Sequence, residues 1–264
     1  MTKVILVVSF GTSYKETREK TIDAVEKAVA ENYKDWEVRR AFTSKMIIKK
    51  LKERDGICID YITEALQRLV DDGVKEVVVL PTHIMNGIEY DDVARITASF
   101  ADKFDCIRMS KPLLTSEKDY DDVIEALNES YFKRIFKDSS LGKAIVFMGH
   151  GSEHYANASY CQLQMKLLSL GYDHVYVTTV EGYPSFDDTM RFMSGHKYSK
   201  VCLIPFMLVA GDHAVNDMSG DDEDSLKSKF VSAGCEVECL LEGLGEQKAF
   251  QNMFLKHLKD AMEQ

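Results

Sequence analysis

Short, almost continuously apolar runs recur along the chain with amphipathic stretches between them, and this alternation narrows the fold more than any other feature. The runs fall at 4–9, 36–41, 76–80, 106–109, 144–148, 174–180, 200–205 and 236–240. They are rich in Val and Ile and lack polar alternation, as expected of parallel strands covered on both faces. Helical periodicity appears between them, for example at 16–30, 61–70, 119–131 and, closing the chain, 247–262. Strands alternating with helices predict an α/β fold built from doubly wound parallel sheets.

The two halves resemble each other. LVVSFGTS (6–13) parallels IVFMGHGS (145–152), an apolar strand followed by a turn with Gly11 or Gly151. Further on, aligning Pro81 with Pro205 sets Gly87 on Gly211 and Glu89 on His213. The two matches need different offsets, so the halves differ by an insertion. This reading predicts two lobes, 1–137 and 138–264. The boundary falls in the polar, turn-rich stretch 137–142, and the last helix is free to pack back on the first lobe.

At 264 residues, 45% hydrophobic and 29% charged, the chain can build one large or two modest apolar cores. No apolar run approaches the roughly 20 residues that span a bilayer. The run at 4–8 lacks the flanks of a signal peptide, so the expected location is the cytoplasm, with no membrane partner. A formal charge of -10 with no basic face argues against nucleic acid, and any anionic ligand must be met by local cations. Cys58, Cys106, Cys161, Cys202, Cys235 and Cys239 are scattered without a C-x-x-C pair and imply no disulfide framework.

Ligands of open α/β sheets bind beyond the carboxyl ends of the strands, so reactive side chains just after strands carry the most weight. In the second half these are His150 within Gly149-His150-Gly151, Glu181 followed by Gly182, and His213 within Ala210-Gly211-Asp212-His213. Two imidazoles and a carboxylate suit a divalent first-row ion with open positions, and equally suit proton removal near neutral pH. In the first half Phe10 stands where His150 stands in the second, an aromatic wall in place of a ligand. His83 and Glu89 follow the third strand; as a ligand contact or as a helix-start carboxylate, Glu89 reads equally well. There is no P-loop, dinucleotide fingerprint or Gly-x-Ser-x-Gly elbow, so no nucleotide cofactor or serine hydrolase is expected. The acidic run 221–224 reads as a solvated helix start.

Eight segments in order, LVVSFGTSY (6–14), RAFTSKMIIKKL (40–51), RDGICID (54–60), HIMNGIEY (83–90), VFMGHG (146–151), VEGYP (180–184), MLVAGDHAVNDM (207–218) and GLGE (243–246), resemble the anaerobic-type sirohydrochlorin cobaltochelatases. These are class II chelatases, a group that includes ferrochelatase. The resemblance covers essentially the whole chain. It implies two α/β lobes related by a pseudo-twofold with a tetrapyrrole in the cleft between them. The implied reaction is insertion of a divalent ion, Co2+ first, into sirohydrochlorin or a closely related precorrin in anaerobic cobalamin biosynthesis. It also implies that His150, Glu181 and His213 form the metal site, with one of the histidines or Glu181 accepting the ring protons. The ring's carboxylates then call for Arg40, Lys45 and the Lys49/Lys50 pair, and its faces for Phe10 and Tyr14. Iron or nickel as the ion, a non-catalytic tetrapyrrole carrier, and homo-oligomerisation stay open at this stage.

Overall fold

The computed structural model describes residues 3–263. They form two compact units, one holding the chain up to Thr115 together with the segment from Phe250 onward, the other holding Ser116–Ala249. The first unit carries β1 (Lys3–Ser9), β2 (Glu37–Phe42), β3 (Glu76–Pro81) and β4 (Cys106–Met109) in a parallel sheet of order β2-β1-β3-β4. The second carries β5 (Lys143–Gly149), β6 (Val175–Thr179), β7 (Lys200–Pro205) and β8 (Glu236–Cys239) in the order β6-β5-β7-β8, again all parallel. The two sheets therefore share one topology, as the internal resemblance of the halves predicts.

Each sheet is built where the apolar runs lie. Val4 to Val8 and Ala144 to Met148 are almost fully removed from water on both faces, so helices cover each sheet from both sides. In the first unit Val4, Leu6, Val8, Val77 and Val79 share one cluster with Ile62, Leu66 and Leu69 of helix Ile62–Asp71. Residues i, i+4 and i+7 of that helix fall on one face, which is why it amphipathically docks on the strands. In the second unit Val146, Met148, Val201 and Leu203 join Ala214, Met218, Leu226 and Phe230.

Two sequence expectations change. The helix expected over 16–30 is two helices, Lys15–Lys20 and Ile22–Asn32, interrupted at Thr21. The buried Thr21 hydroxyl donates to the Thr17 carbonyl at 2.6 Å, the back-bonding by which β-branched Thr bends helices. The boundary expected at 137–142 lies instead at 115/116, well before that stretch. Tyr131 and Phe132 explain the shift: their rings sit 5.8 and 6.1 Å from that of Phe147 on β5 and tie 116–136 to the second sheet. The polar stretch is only a surface loop of that unit, with Leu141 90% exposed.

The strand order also fixes where a ligand belongs. From β5 the chain goes to one neighbour, β6, and then crosses to the other, β7. Loops leaving the carboxyl ends of β5 and β7 diverge to opposite faces and open a crevice between them.

Candidate metal centre

His150, Glu181 and His213 follow β5, β6 and β7, the three adjacent strands at that switch point. They converge: one ligand atom from each lies within 4.8 Å of the others, and among the described residues they form the only such group of three or more His, Cys, Asp or Glu. The His150 and His213 rings meet edge to face, centroids 4.6 Å apart, and His150 Nδ1 is 3.9 Å from a Glu181 oxygen.

Backbone pairing holds the first two. The β5–β6 ladder runs past the strand ends, with Val180 N–H donating to the Gly149 carbonyl at 3.1 Å and Glu181 N–H to the His150 carbonyl at 2.8 Å. Gly151 turns away with φ +84, and a Cβ there would meet the Glu181 carbonyl carbon and oxygen at 2.7 Å. Only glycine meets both demands, a left-handed φ and contact with a neighbouring backbone. Asn157 then joins the loops: its Oδ1 accepts from Ser152 N–H at 3.0 Å and its Nδ2 donates to the Tyr183 carbonyl at 2.7 Å. Beneath them the buried Tyr160 hydroxyl is hydrogen-bonded to the backbone of His150 and Gly151, and burial pushes this phenol up to about 12. It stays a neutral strut at physiological pH.

The third arm is separate. After β7, Phe206 N–H donates to the Met148 carbonyl at 2.7 Å, and the loop runs to His213 at the head of a π-helical turn, Ala214–Met218. His213 Nδ1 lies 2.8 Å from an Asp217 carboxylate oxygen, and His150 Nδ1 lies 3.1 Å from the Gly151 carbonyl. Each partner only accepts, which favours the Nδ1–H tautomer of a neutral ring at both positions. The triad is part-exposed, with His150 and His213 side chains 45% and 34% accessible, so solvent and a bulky ligand can reach it.

The sequence of residues 3–263 matches the family described as cobalt chelatase (CbiK). The chain is 41% identical over 262 residues to the sirohydrochlorin cobaltochelatase of Salmonella typhimurium, covering 99% of this chain and 97% of that one. The chain belongs to the cobalt chelatase family. It is also 30% identical, over 98% of its length and 90% of the relative's, to sirohydrochlorin cobaltochelatase CbiKC of Nitratidesulfovibrio vulgaris. The fold matches the structure of SirB from Bacillus subtilis with Fe3+, at a TM-score of 0.63 and 15% identity, over 99% of this chain and 96% of that one. This cobalt chelatase family member is therefore an α/β protein of two chelatase-like lobes.

The remaining expected site residues all lie in the first unit. Phe10 and Tyr14 follow β1 and are 44% and 38% exposed, so both present aromatic surface to solvent. Lys45 follows β2 and sets its ammonium 4.9 Å from the centre of the Tyr61 ring. With Lys49, Lys52 and Tyr61 it lines a surface cavity of about 810 Å³. Glu89 is exposed in the first turn of helix Ile88–Ser99.

Arg40 and His83 depart from expectation. Arg40 lies within β2 rather than beyond it, so its side chain runs onto the sheet face and not to the ligand edge. There its Nε donates to Glu26 at 2.7 Å, and its Nη2 pairs with Asp23 and Glu26. That charge is already matched and is not offered to a ligand carboxylate. His83 keeps some surface exposure, but both its ring nitrogens are buried without a hydrogen-bond partner. Burial lowers its pKa to about 4, so the ring stays neutral at physiological pH.

Asp217, Asn157, Tyr160 and Tyr61 were not among the residues expected from sequence. Asp217 had a signal, four residues after His213 in a segment opening a helix. Asn157 and Tyr160 had none, because their contacts are to loop backbone, which any residue type supplies.

Proposed function

We propose that this chain inserts Co2+ into sirohydrochlorin, with His150, Glu181 and His213 as ligands of the incoming ion. The observation that carries the reading is the convergence of these three side chains, one ligand atom of each within 4.8 Å of the others, on rings that are part-exposed. Two imidazoles and one carboxylate leave positions for water and for ring nitrogens on a first-row ion. The curated relatives named sirohydrochlorin cobaltochelatase, matched over nearly the whole chain, support both the ring and cobalt.

Insertion exchanges two protons on the ring nitrogens for one Co2+. An imidazole nitrogen cannot bind a proton and the ion together. Glu181, with its side chain 62% exposed beside His150, is therefore the assigned first acceptor, able to pass protons to solvent. No electron transfer is involved, and no nucleotide is needed. The ring is a polycarboxylate and the chain carries a charge of -10, so local cations must offset repulsion. Lys45 is assigned that role, with Phe10 and Tyr14 as aromatic contacts and Glu89 and His83 at the same sheet edge. All six cysteines are free, which fits the reducing cytoplasm. Among the described residues no helix is long and apolar enough to cross a membrane.

The test is anaerobic absorbance spectroscopy of sirohydrochlorin with protein and Co2+, Fe2+ or Ni2+, each against a protein-free control. The expected result is an accelerated spectral shift, fastest with cobalt. A faster shift with iron or nickel reassigns the ion. Ring binding without acceleration by any ion replaces the enzyme with a carrier.

A further inference from the structure

The two imidazoles of the centre are held by unlike partners. His150 Nδ1 faces a neutral backbone carbonyl, whereas His213 Nδ1 faces the carboxylate of Asp217 at 2.8 Å. The second contact spans one turn of a widened helix. The turn Ala214–Met218 is π-helical, closed by Ser219 N–H donating to the Ala214 carbonyl at 3.2 Å. Such widened turns are rare and concentrate at functional sites. Here the turn starts directly after His213, and the side chain four residues on comes back to the imidazole. Gly220 ends it where a Cβ would collide with the Asn216 carbonyl.

The need for such a partner follows from the way the arms are built. His150 and Glu181 are registered on one backbone ladder, but His213 stands at the end of the separate 206–212 loop. Its side chain is a third exposed, and its edge-to-face contact with the His150 ring does not by itself choose which ring nitrogen faces the ion. A carboxylate can only accept, so it selects the tautomer with Nδ1 protonated and pins the ring plane.

We infer that Asp217 is a positioning residue for metal uptake, orienting His213 so that Nε2 is presented to the ion. This rests on the assignment of His213 as a ligand. Asp217 acts through His213 and does not touch the ring substrate, so its effect falls on the metal side of the reaction alone.

Co2+ binding to ring-free protein, followed by titration of the cobalt d–d absorption, tests this together with separate KM values for ion and ring. Asp217→Ala is expected to weaken Co2+ binding about 10- to 100-fold and to raise the KM for Co2+ in step, with the KM for sirohydrochlorin unchanged. Asp217→Asn keeps an acceptor of the same shape and is expected to stay within a few-fold of wild type. Wild-type Co2+ affinity in Asp217→Ala overturns the inference, as does equal loss in both variants or a parallel loss of ring affinity. His213→Ala separates the two levels. If it too binds Co2+ normally, the ligand assignment has failed; if it alone loses Co2+, the assignment stands and only the role of Asp217 falls.

Discussion

Beyond β5, β6 and β7 stand His150, Glu181 and His213, within ligand reach of one another. Beyond β1, β2 and β3, which hold the same places in a sheet of the same order, stand Phe10, Lys45 and His83. The second edge gathers groups with available lone pairs. The first offers aromatic surface and an ammonium, and its one histidine is neutral with buried nitrogens. The topology places a ligand edge in each unit, but the residue after each strand decides whether that edge binds an ion.

The comparison can be broken most directly at the ligands. His150→Ala or His213→Ala is expected to slow insertion at least about 100-fold while sirohydrochlorin still binds, read by turnover and by ring titration. Normal turnover in both would remove the distinction between the edges.

The next effect is on acid stability and belongs to the first edge. His83 titrates near 4 when folded and near 6.5 when unfolded. The folded state thus binds fewer protons in that window, so His83 contributes stability above pH 6.5 that is lost as pH falls through 4. The difference amounts to at most roughly 3 kcal/mol. His83→Leu should flatten the dependence of the urea midpoint between pH 6.5 and 4, and an unchanged slope would show that the nitrogens are hydrated.

The two turn glycines sharpen the contrast. Gly11 and Gly151 follow the first strand of each sheet with φ +101 and +84. Alanine at either should cost about 1–3 kcal/mol in strain. At Gly11 the new Cβ meets the Phe42 ring at 2.5 Å, whereas at Gly151 it meets the backbone of Glu181. Both variants should lose stability to denaturant, but only Gly151→Ala should also lose Co2+ affinity. Smallest of all, Lys45→Ala should raise the KM for sirohydrochlorin a few-fold, consistent with about 0.5–1 kcal/mol for an exposed cation, and leave Co2+ binding unchanged.

Much of this could be read from the sequence because parallel strands buried on both faces leave continuous Val and Ile runs. All eight were found, most within a residue of their ends, and with them the positions of His150, Glu181 and His213. What escaped depended on side-chain direction and on contacts between distant segments. Arg40 sits within β2, two residues before its end, and its side chain turns onto the sheet face to pair with Glu26 in place of a ligand carboxylate. The unit boundary was misplaced because a polar loop looks the same inside a domain as between domains. Tyr131 and Phe132, which decide the matter through Phe147, carry no mark of their partner.

The hydrogen bond from Glu181 N–H to the His150 carbonyl sets the backbones of those two ligands side by side, at the spacing of neighbouring strands, about 4.8 Å. Their backbones behave as the fixed jaw of a calliper, which cannot open or close without breaking that pairing. Adjustment to ions of different radius is left to the sliding jaw, His213 on its loop. A laboratory seeking to turn this centre from cobalt toward a larger or smaller ion should vary 206–213 and leave the ladder alone.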